Sequence, residues 1–213
     1  ERFIDIVMLG AARPAYSLRG GGWDYDPDFT VLEYDQDKAR QKLIDAGYPN
    51  GVDIPFASMS TLNELFMTET YQAIFSEVGI NLQVEQYPPK QFWSYEVGRG
   101  GLATSGFART SWSLRADPHL QMMLAYHSTG KWGGIANYKN AEVDRLINEG
   151  MSIYDIPKAK KMYAEINRLI GEDVLMPAVY HPTQFIAMNN RVQNFHWVPD
   201  SQLRLQFLWL KQD

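Results

Sequence analysis

The densest group of chemically useful side chains in this 213-residue chain lies between Gly106 and Pro118, where Arg109, Thr110, Ser111, Trp112, Ser113, Arg115 and Asp117 follow an apolar run. A loop leaving the end of a strand with aromatic, cationic, anionic and hydroxyl groups together is equipped to contact a ligand, because a rigid sheet holds it while its sequence stays free to vary. The simpler alternative is that Arg109 and Arg115 are solvated and Trp112 fills a gap in the core. Elsewhere the chemistry is thinner. His119, His127, His181 and His196 show no ligand pairing at one-turn spacing, although His119 and His127 could share one helix face. No Gly-x-Ser-x-Gly elbow, Walker loop or dinucleotide fingerprint occurs, and Gly20-Gly21-Gly22 neither follows a strand nor opens a helix.

With six tryptophans and twelve tyrosines, a glycoside hydrolase built on paired carboxylates has to be weighed. Asp35, Asp155 and Glu64 are accounted for as helix-start residues, however, and Asp37, Asp45, Asp144 and Glu149 fall on solvent-facing sides of helices. The Met122-Met123 and Phe92-Trp93 pairs read as core or groove lining.

The elements that must position these groups follow from periodicity. Residues 1–10 read as the tail of an amphipathic helix ended by Gly10, and 19–27 as a glycine-rich loop. Asp35 caps a helix with Ala39, Leu43 and Ala46 on one face, stopped by Gly47. Val52 to Ser58 reads as a strand. Thr61 and Glu64 form a capping box for a helix through Phe66, Tyr71, Ile74 and Val78, and Ile80, Leu82 and Val84 alternate with polar residues as a strand does. Pro88-Pro89 starts a short helix to Gly98, and Gly101 to Ala108 reads as a buried strand. Asn140 and Asp155 cap two further helices, and Val174 to Tyr180 reads as a final core strand. Strands alternating with helices give an α/β fold whose mixed sheet is flanked by helices. From Pro182 onward the chain turns to polar and aromatic alternation, read as a separate extended or β-rich segment.

Composition bounds the function. Hydrophobic residues at 45% and charged residues at 21% are ordinary for a globular chain, and 20 basic against 25 acidic residues leave a net charge of −5 with no continuous positive stripe for nucleic acid. There is no cysteine, so disulfides, thiolate metal sites and cysteine nucleophiles are excluded. The apolar runs fall well short of the roughly 20 residues needed to span a bilayer. With neither an initiator methionine nor a signal region, the chain reads as part of a longer protein.

Several stretches, in order, resemble the extracytoplasmic solute-binding proteins of family 5, the dipeptide and oligopeptide type that feeds ABC importers. Gly10 to Tyr16 resembles the approach to the family's second lobe, and residues 34–51 resemble its Tyr-Asp-x-x-Lys-Ala…Ala-Gly-Tyr-Pro-Asn-Gly signature. Trp112 to Pro118 is similar to the family's ligand loop, Asn137 to Asp144 to its Tyr-x-Asn-x-Glu-Val-Asp helix start, and Tyr163 to Tyr180 to its closing helix and strand. The resemblance implies a type II periplasmic-binding-protein-like lobe. Residues 1–181 would form most of the second, ligand-binding lobe, and 182–213 would return toward a first lobe whose remainder is absent.

What the resemblance implies for function is capture without chemistry: a substrate-binding protein, not an enzyme, with no cofactor and no metal. Its partners would be a peptide or another small polar, amino-acid-like solute and the membrane permease, for a monomer in the periplasm or outside the cell. Trp112 and Trp132 would stack and exclude water, Arg115 and Arg109 would pair charge, and Asp117, Asn137 and Tyr138 would orient the ligand. One position departs from the family. Peptide-binding relatives place an aspartate three residues after the loop tryptophan, whereas this chain has Arg115 there and a Trp-to-Pro stretch one residue shorter. A guanidinium suits a carboxylate or phosphate rather than an ammonium, although Asp117 could still take an ammonium or neutralise the arginine.

Overall fold

A computed structural model describes residues 2–17, 19, 21–24, 29, 33–98, 106–109, 111, 117–198, 200 and 204–211. In chain order these form α1 (Arg2–Met8), β1 (Ala12–Pro14), α2 (Gln36–Asp45), β2 (Val52–Met59), α3 (Leu62–Ser76), β3 (Ile80–Tyr87), α4 (Pro89–Gly98) and β4 (Phe107–Ala108). There follow α5 (Pro118–Tyr126), α6 (Lys131–Ile135), α7 (Ala141–Gly150), α8 (Ile156–Asp173), β5 (Tyr180–Pro182), β6 (Val192–Gln193), a 3-10 turn over Leu205–Phe207, and β7 (Trp209–Leu210).

β2 sits between β3 and β4 and runs parallel to both, with Val52 opposite Ile80, Met59 opposite Tyr87 and Phe56 opposite Phe107. Parallel neighbours need a crossover, and α3 supplies it between β2 and β3. The apolar face of α3 closes one core: Met67 and Tyr71 pack with Phe56, Leu82 and Phe3, and the Phe3 and Tyr71 rings stack at 4.6 Å. A second core lies among helices, where Met122 and Tyr126 of α5 meet Val143 and Ile147 of α7 and Ile166 and Ile170 of α8. Parallel and antiparallel pairings both occur, since β1 pairs with β5 and β6 with β7 in antiparallel register. The α/β expectation holds.

Local chemistry accounts for the helix starts. Asp35 accepts from Lys38 N at 2.9 Å, Asn140 from the amides of Glu142 and Val143, and Asp155 from Lys158 N at 2.8 Å, each satisfying a donor the helix leaves open. At the other end of α2, Tyr48 N returns to Leu43 O at 2.8 Å around Gly47, whose φ of +92° only glycine adopts freely. α2 buries no residue. Its apolar face is too short to need a core, and it is tethered by the Arg40 guanidinium, which donates to the Glu77 carbonyl at the end of α3.

Three expectations need correction. Val174 to Tyr180 is not a strand: Val174 turns left-handed at the end of α8, Leu175 and Met176 pack on the helical core, and pairing begins at Tyr180, where β1 comes alongside. β1 itself is three residues long, too short to show alternation. α5 and α6 were not anticipated, although Asp117 followed by Pro118 is a helix-start signature, the aspartate capping and the proline fitting the first turn. Of the expected strand from Gly101 to Ala108, residues 101–105 lie outside the described set, and Phe107–Ala108 is exposed at the sheet edge rather than buried.

The turn before β2 is governed by close approach. Gly51 has φ +87°, and a Cβ there would lie 2.5 Å from the Gly79 carbonyl, which accepts from Val52 N, whereas a Cβ at Gly47 would meet nothing within 4 Å. Gly51→Ala is therefore expected to destabilise the chain by about 2–4 kcal/mol and Gly47→Ala by only about 1 kcal/mol, read from urea unfolding. On β5, burial first and the guanidinium of Arg13 across the ladder second push the His181 imidazole below its ordinary value, against a backbone hydrogen bond with Ser17 that raises it. The folded state then binds fewer protons than the unfolded chain, whose histidine titrates near about 6.5. Stability is fully present above that pH and is lost as pH falls through the lower folded value. Thermal melts of His181→Asn are expected to lack this component of the acid-side decline.

Candidate functional site

The carboxyl ends of β2, β3 and β4 emerge on one edge of the sheet, the edge at which open α/β folds bind ligands. Arg109 N donates to Ala57 O at 3.4 Å, so the loop 110–117 departs beside the end of β2 and delivers the chain to Asp117 at the start of α5. Trp112 and Arg115 lie outside the described residues. The loop's two anchors are described, and they behave differently.

Arg109 is not a solvated cation. Its Nη1 donates to the Glu64 carboxylate, its Nη2 donates to the Tyr180 hydroxyl at 3.0 Å, and that hydroxyl donates to Met67 Sδ at 3.3 Å. Both charged side chains are nearly buried, at 13% and 10% exposed. A buried guanidinium without its carboxylate would be costly, so this pair holds together three elements: the end of β4, the first turn of α3, and β5. The role expected for Arg109, charge pairing with a ligand, gives way to one of clamping, because its charge is already matched. Glu64 does more than start a helix. Its backbone amide donates to Thr61 Oγ1 at 3.4 Å while its carboxylate turns inward, and among the described residues Ser58 Oγ, Thr68 Oγ1 and Glu64 Oε2 are buried without hydrogen-bond partners. Burial pushes the phenol of neighbouring Tyr71 up to about 12, so it stays neutral here.

Asp117 is exposed and caps α5, its Oδ1 accepting from His119 N at 2.9 Å. It faces Tyr163 of α8, whose phenol is raised to about 12 by burial first and by the Asp117 charge second. Trp132 on α6 is half-buried, meets Trp93 of α4 edge-on at 6.0 Å, and has the Lys131 ammonium 5.3 Å from its ring centre. Asn137 and Tyr138 belong to a turn. Asn137 adopts φ +50°, and Tyr138 donates to Asp173 Oδ2 at 2.6 Å, which also accepts from Asn140 and is held below the usual carboxylate range by the tyrosine first and the asparagine second. Tyr138 and Asn140 thus tie the segment between α6 and α7 to the end of α8. Asp144, expected on a solvent face, instead accepts from Ser128 N at 2.8 Å and from Ser128 Oγ at 2.5 Å, fixing the turn after α5.

The glycine-rich loop has a structural explanation too. Arg19 and Asp24 form an ion pair with exposures of 2% and 0%, Arg19 Nη1 donates to Gln121 Oε1 at 2.9 Å, and Trp23 packs edge-on against Tyr163. Gly22 sits at φ +103° with no room for a Cβ beside that guanidinium. The loop is a buckle on α5 and α8 rather than a phosphate cradle. His127 is likewise engaged locally, its Nδ1 accepting from Thr129 N at 3.1 Å, while His119 lies against α7 at Gly150. Among the described residues no group of three or more His, Cys, Asp or Glu side chains could hold a metal ion.

Residues 1–133 match the family described as bacterial extracellular solute-binding proteins, family 5 middle. The chain belongs to this family. It is similar to the heme-binding protein A of Haemophilus influenzae, at 24% identity over 201 residues covering 92% of this chain and 36% of that protein. It is also similar to the oligopeptide-binding protein AppA of Bacillus subtilis, at 25% identity over 225 residues covering 99% of this chain and 41% of the relative. The chain thus spans about two-fifths of the length of these family members. A solved structure of AppA with a nonapeptide aligns with a TM-score of 0.84 and 21% identity over 100% of this chain and 45% of that one. The fold is accordingly of the type II periplasmic-binding-protein class. Among the described residues, no helix is long and apolar enough to cross a membrane.

Glu64 and Tyr180 are the residues of this edge that sequence reasoning missed. Glu64 was hidden by its fit to a capping box, and Tyr180 by sitting at the end of a presumed core strand. Glu64→Gln leaves the nearly buried Arg109 charge unmatched and is expected to cost about 3 kcal/mol of unfolding free energy, while Glu64→Gln combined with Arg109→Met costs clearly less than the sum of the single changes. Urea titration of the three variants measures the coupling.

Proposed function

We propose that this chain is most of one lobe, residues 1–181, of a substrate-binding protein that captures a peptide or another small amino-acid-like solute and delivers it to an ABC importer. On this reading residues 182–213 lead back toward a second lobe that forms the opposite wall of the cleft. The observation that carries it is the carboxyl edge of a parallel sheet in a chain of this family, where Arg109 is locked by Glu64 and Asp117, which caps α5, is open to solvent. Solvent-facing apolar side chains beyond Pro182, among them Phe185 at 79% and Leu210 at 63% exposed, fit a segment that packs on more protein.

No bond is made or broken. A solute that touches both walls favours the closed arrangement by its differential affinity, and the closed form is what a permease in the membrane would recognise outside the cytoplasm. Trp112 and Trp132 exclude water from the solute, Arg115 supplies charge, and Asp117 offers a carboxylate oxygen beyond the one that caps α5. Arg109 and Tyr138 act through the positions of the elements they hold, and Asn137, in the turn between α6 and α7, orients the solute. Names of relatives support the class: AppA of Bacillus subtilis is an oligopeptide-binding protein, and a Pseudomonas aeruginosa relative at 24% identity is a di/tripeptide-binding protein.

Mass spectrometry of solutes released from the intact two-lobed protein, followed by calorimetric titration of the compounds found, tests the proposal. Saturable binding without product is expected, and Arg115→Ala weakens it at least tenfold, since truncating one partner of a buried charge pair costs about 2–5 kcal/mol. Turnover of the solute would overturn the reading, and an unchanged dissociation constant would remove Arg115 from the site.

A further inference from the structure

The lobe has two cores, one between sheet and α3 and one among α5, α7 and α8. A link between the two parts lies at the carboxyl edge of the sheet. α4 begins at Pro89, two residues after β3 ends, and is anchored by Phe92, which is 2% exposed. The next residue, Trp93, is turned about 100° around the helix and remains 38% exposed. Its ring meets Trp132 of α6 edge-on, at an interplanar angle of 72°. α6 is in turn fixed against α5, because a Cβ at Gly133 would fall 2.3 Å from the His127 carbonyl.

Packing within the lobe leaves a substantial part of the Trp93 indole in water, although a tryptophan gains more than most side chains from full burial. Lys131 already lies over the Trp132 ring, so the indole surface left for a new partner is that of Trp93. Leu62, on the first turn of α3 and also at the carboxyl edge, is 82% exposed and extends the apolar character of this rim.

We propose that Trp93, held edge-on by Trp132, is a specificity-determining residue: it forms the apolar wall of the cleft and takes an aromatic or bulky aliphatic side chain of the bound peptide. This rests on the peptide-capture reading above. The rigid corner made by the two rings costs little conformational entropy on binding, and offset or edge-on contact with a ligand ring adds to the area buried. The solute class favoured by the site becomes short peptides carrying at least one large apolar side chain, read by the indole corner.

The test is calorimetric titration of the intact two-lobed protein with Ala-Ala-Ala and with the tripeptides in which one alanine is replaced by Phe or Leu. The unaltered protein is expected to prefer one Phe- or Leu-containing register. Trp93→Ala then weakens that peptide about tenfold while changing Ala-Ala-Ala less than about twofold, and Trp93→Phe, which keeps an aromatic partner for Trp132, recovers most of the loss. Equal weakening of every peptide by both variants, or no change, overturns the proposal and assigns the indole to packing against other parts of the protein. Failure of the unaltered protein to bind any member of the series would instead defeat the peptide-capture reading itself, and the wall for peptide side chains with it.

Discussion

Parallel pairing of β2 with both of its neighbours is the constraint on which the rest depends. An antiparallel partner could have been reached by a tight turn, but parallel strands oblige the chain to cross over, and α3 is the price of the first crossing. The same geometry brings all three strand carboxyl ends to one edge, where α3 and α4 also begin. At the opposite edge backbone approaches backbone: Val52 N donates to Gly79 O at 2.9 Å, and Gly51 and Gly79 touch with no side chain between them. The carboxyl edge carries charged and aromatic groups instead, Arg109, Glu64 and Trp93 among them.

Two ion pairs set the electrostatics of that chemistry by withdrawing charges from it. Arg109 with Glu64 and Arg19 with Asp24 are nearly or fully buried, and each guanidinium has a second anchor, on Tyr180 and Gln121 respectively. They contrast with Arg145 between Glu142 and Glu149 and with Arg168 between Glu165 and Glu172, whose side chains are about half exposed. Exposed pairs of that kind are screened by solvent and specify little. The buried pairs specify much more, because each can form only when two segments distant in sequence are correctly placed.

What could be read in advance follows from how local the determining interaction is. Asp35, Asn140 and Asp155 cap helices through atoms two or three residues away, so their roles are visible in a few letters, and the alternation through Ile80, Leu82 and Val84 reports a half-buried strand directly. β1 and β5 were not visible at their true limits, since two three-residue strands are defined only by each other. The same applies at the site. Asp117 could be named with its neighbours because a mixed-polarity loop after a strand is a local signal. The matching of Arg109 by Glu64 spans 45 residues and leaves no local trace, so an internal clamp and a ligand cation look alike in the letters.

This separation explains why the stretch that best identifies the family says least about the solute. Residues 34–51 contain a capped helix, a glycine stop and a turn whose Gly51 is demanded by the Gly79 carbonyl. Gly51 and its turn serve the edge at which β2 begins, beside Gly79. Trp93 lies outside that contact, so a change there leaves the Gly51–Gly79 approach untouched. Relatives named for heme and for oligopeptides accordingly stand at nearly the same identity to this chain, 24% and 25%. Overall similarity measures the scaffold.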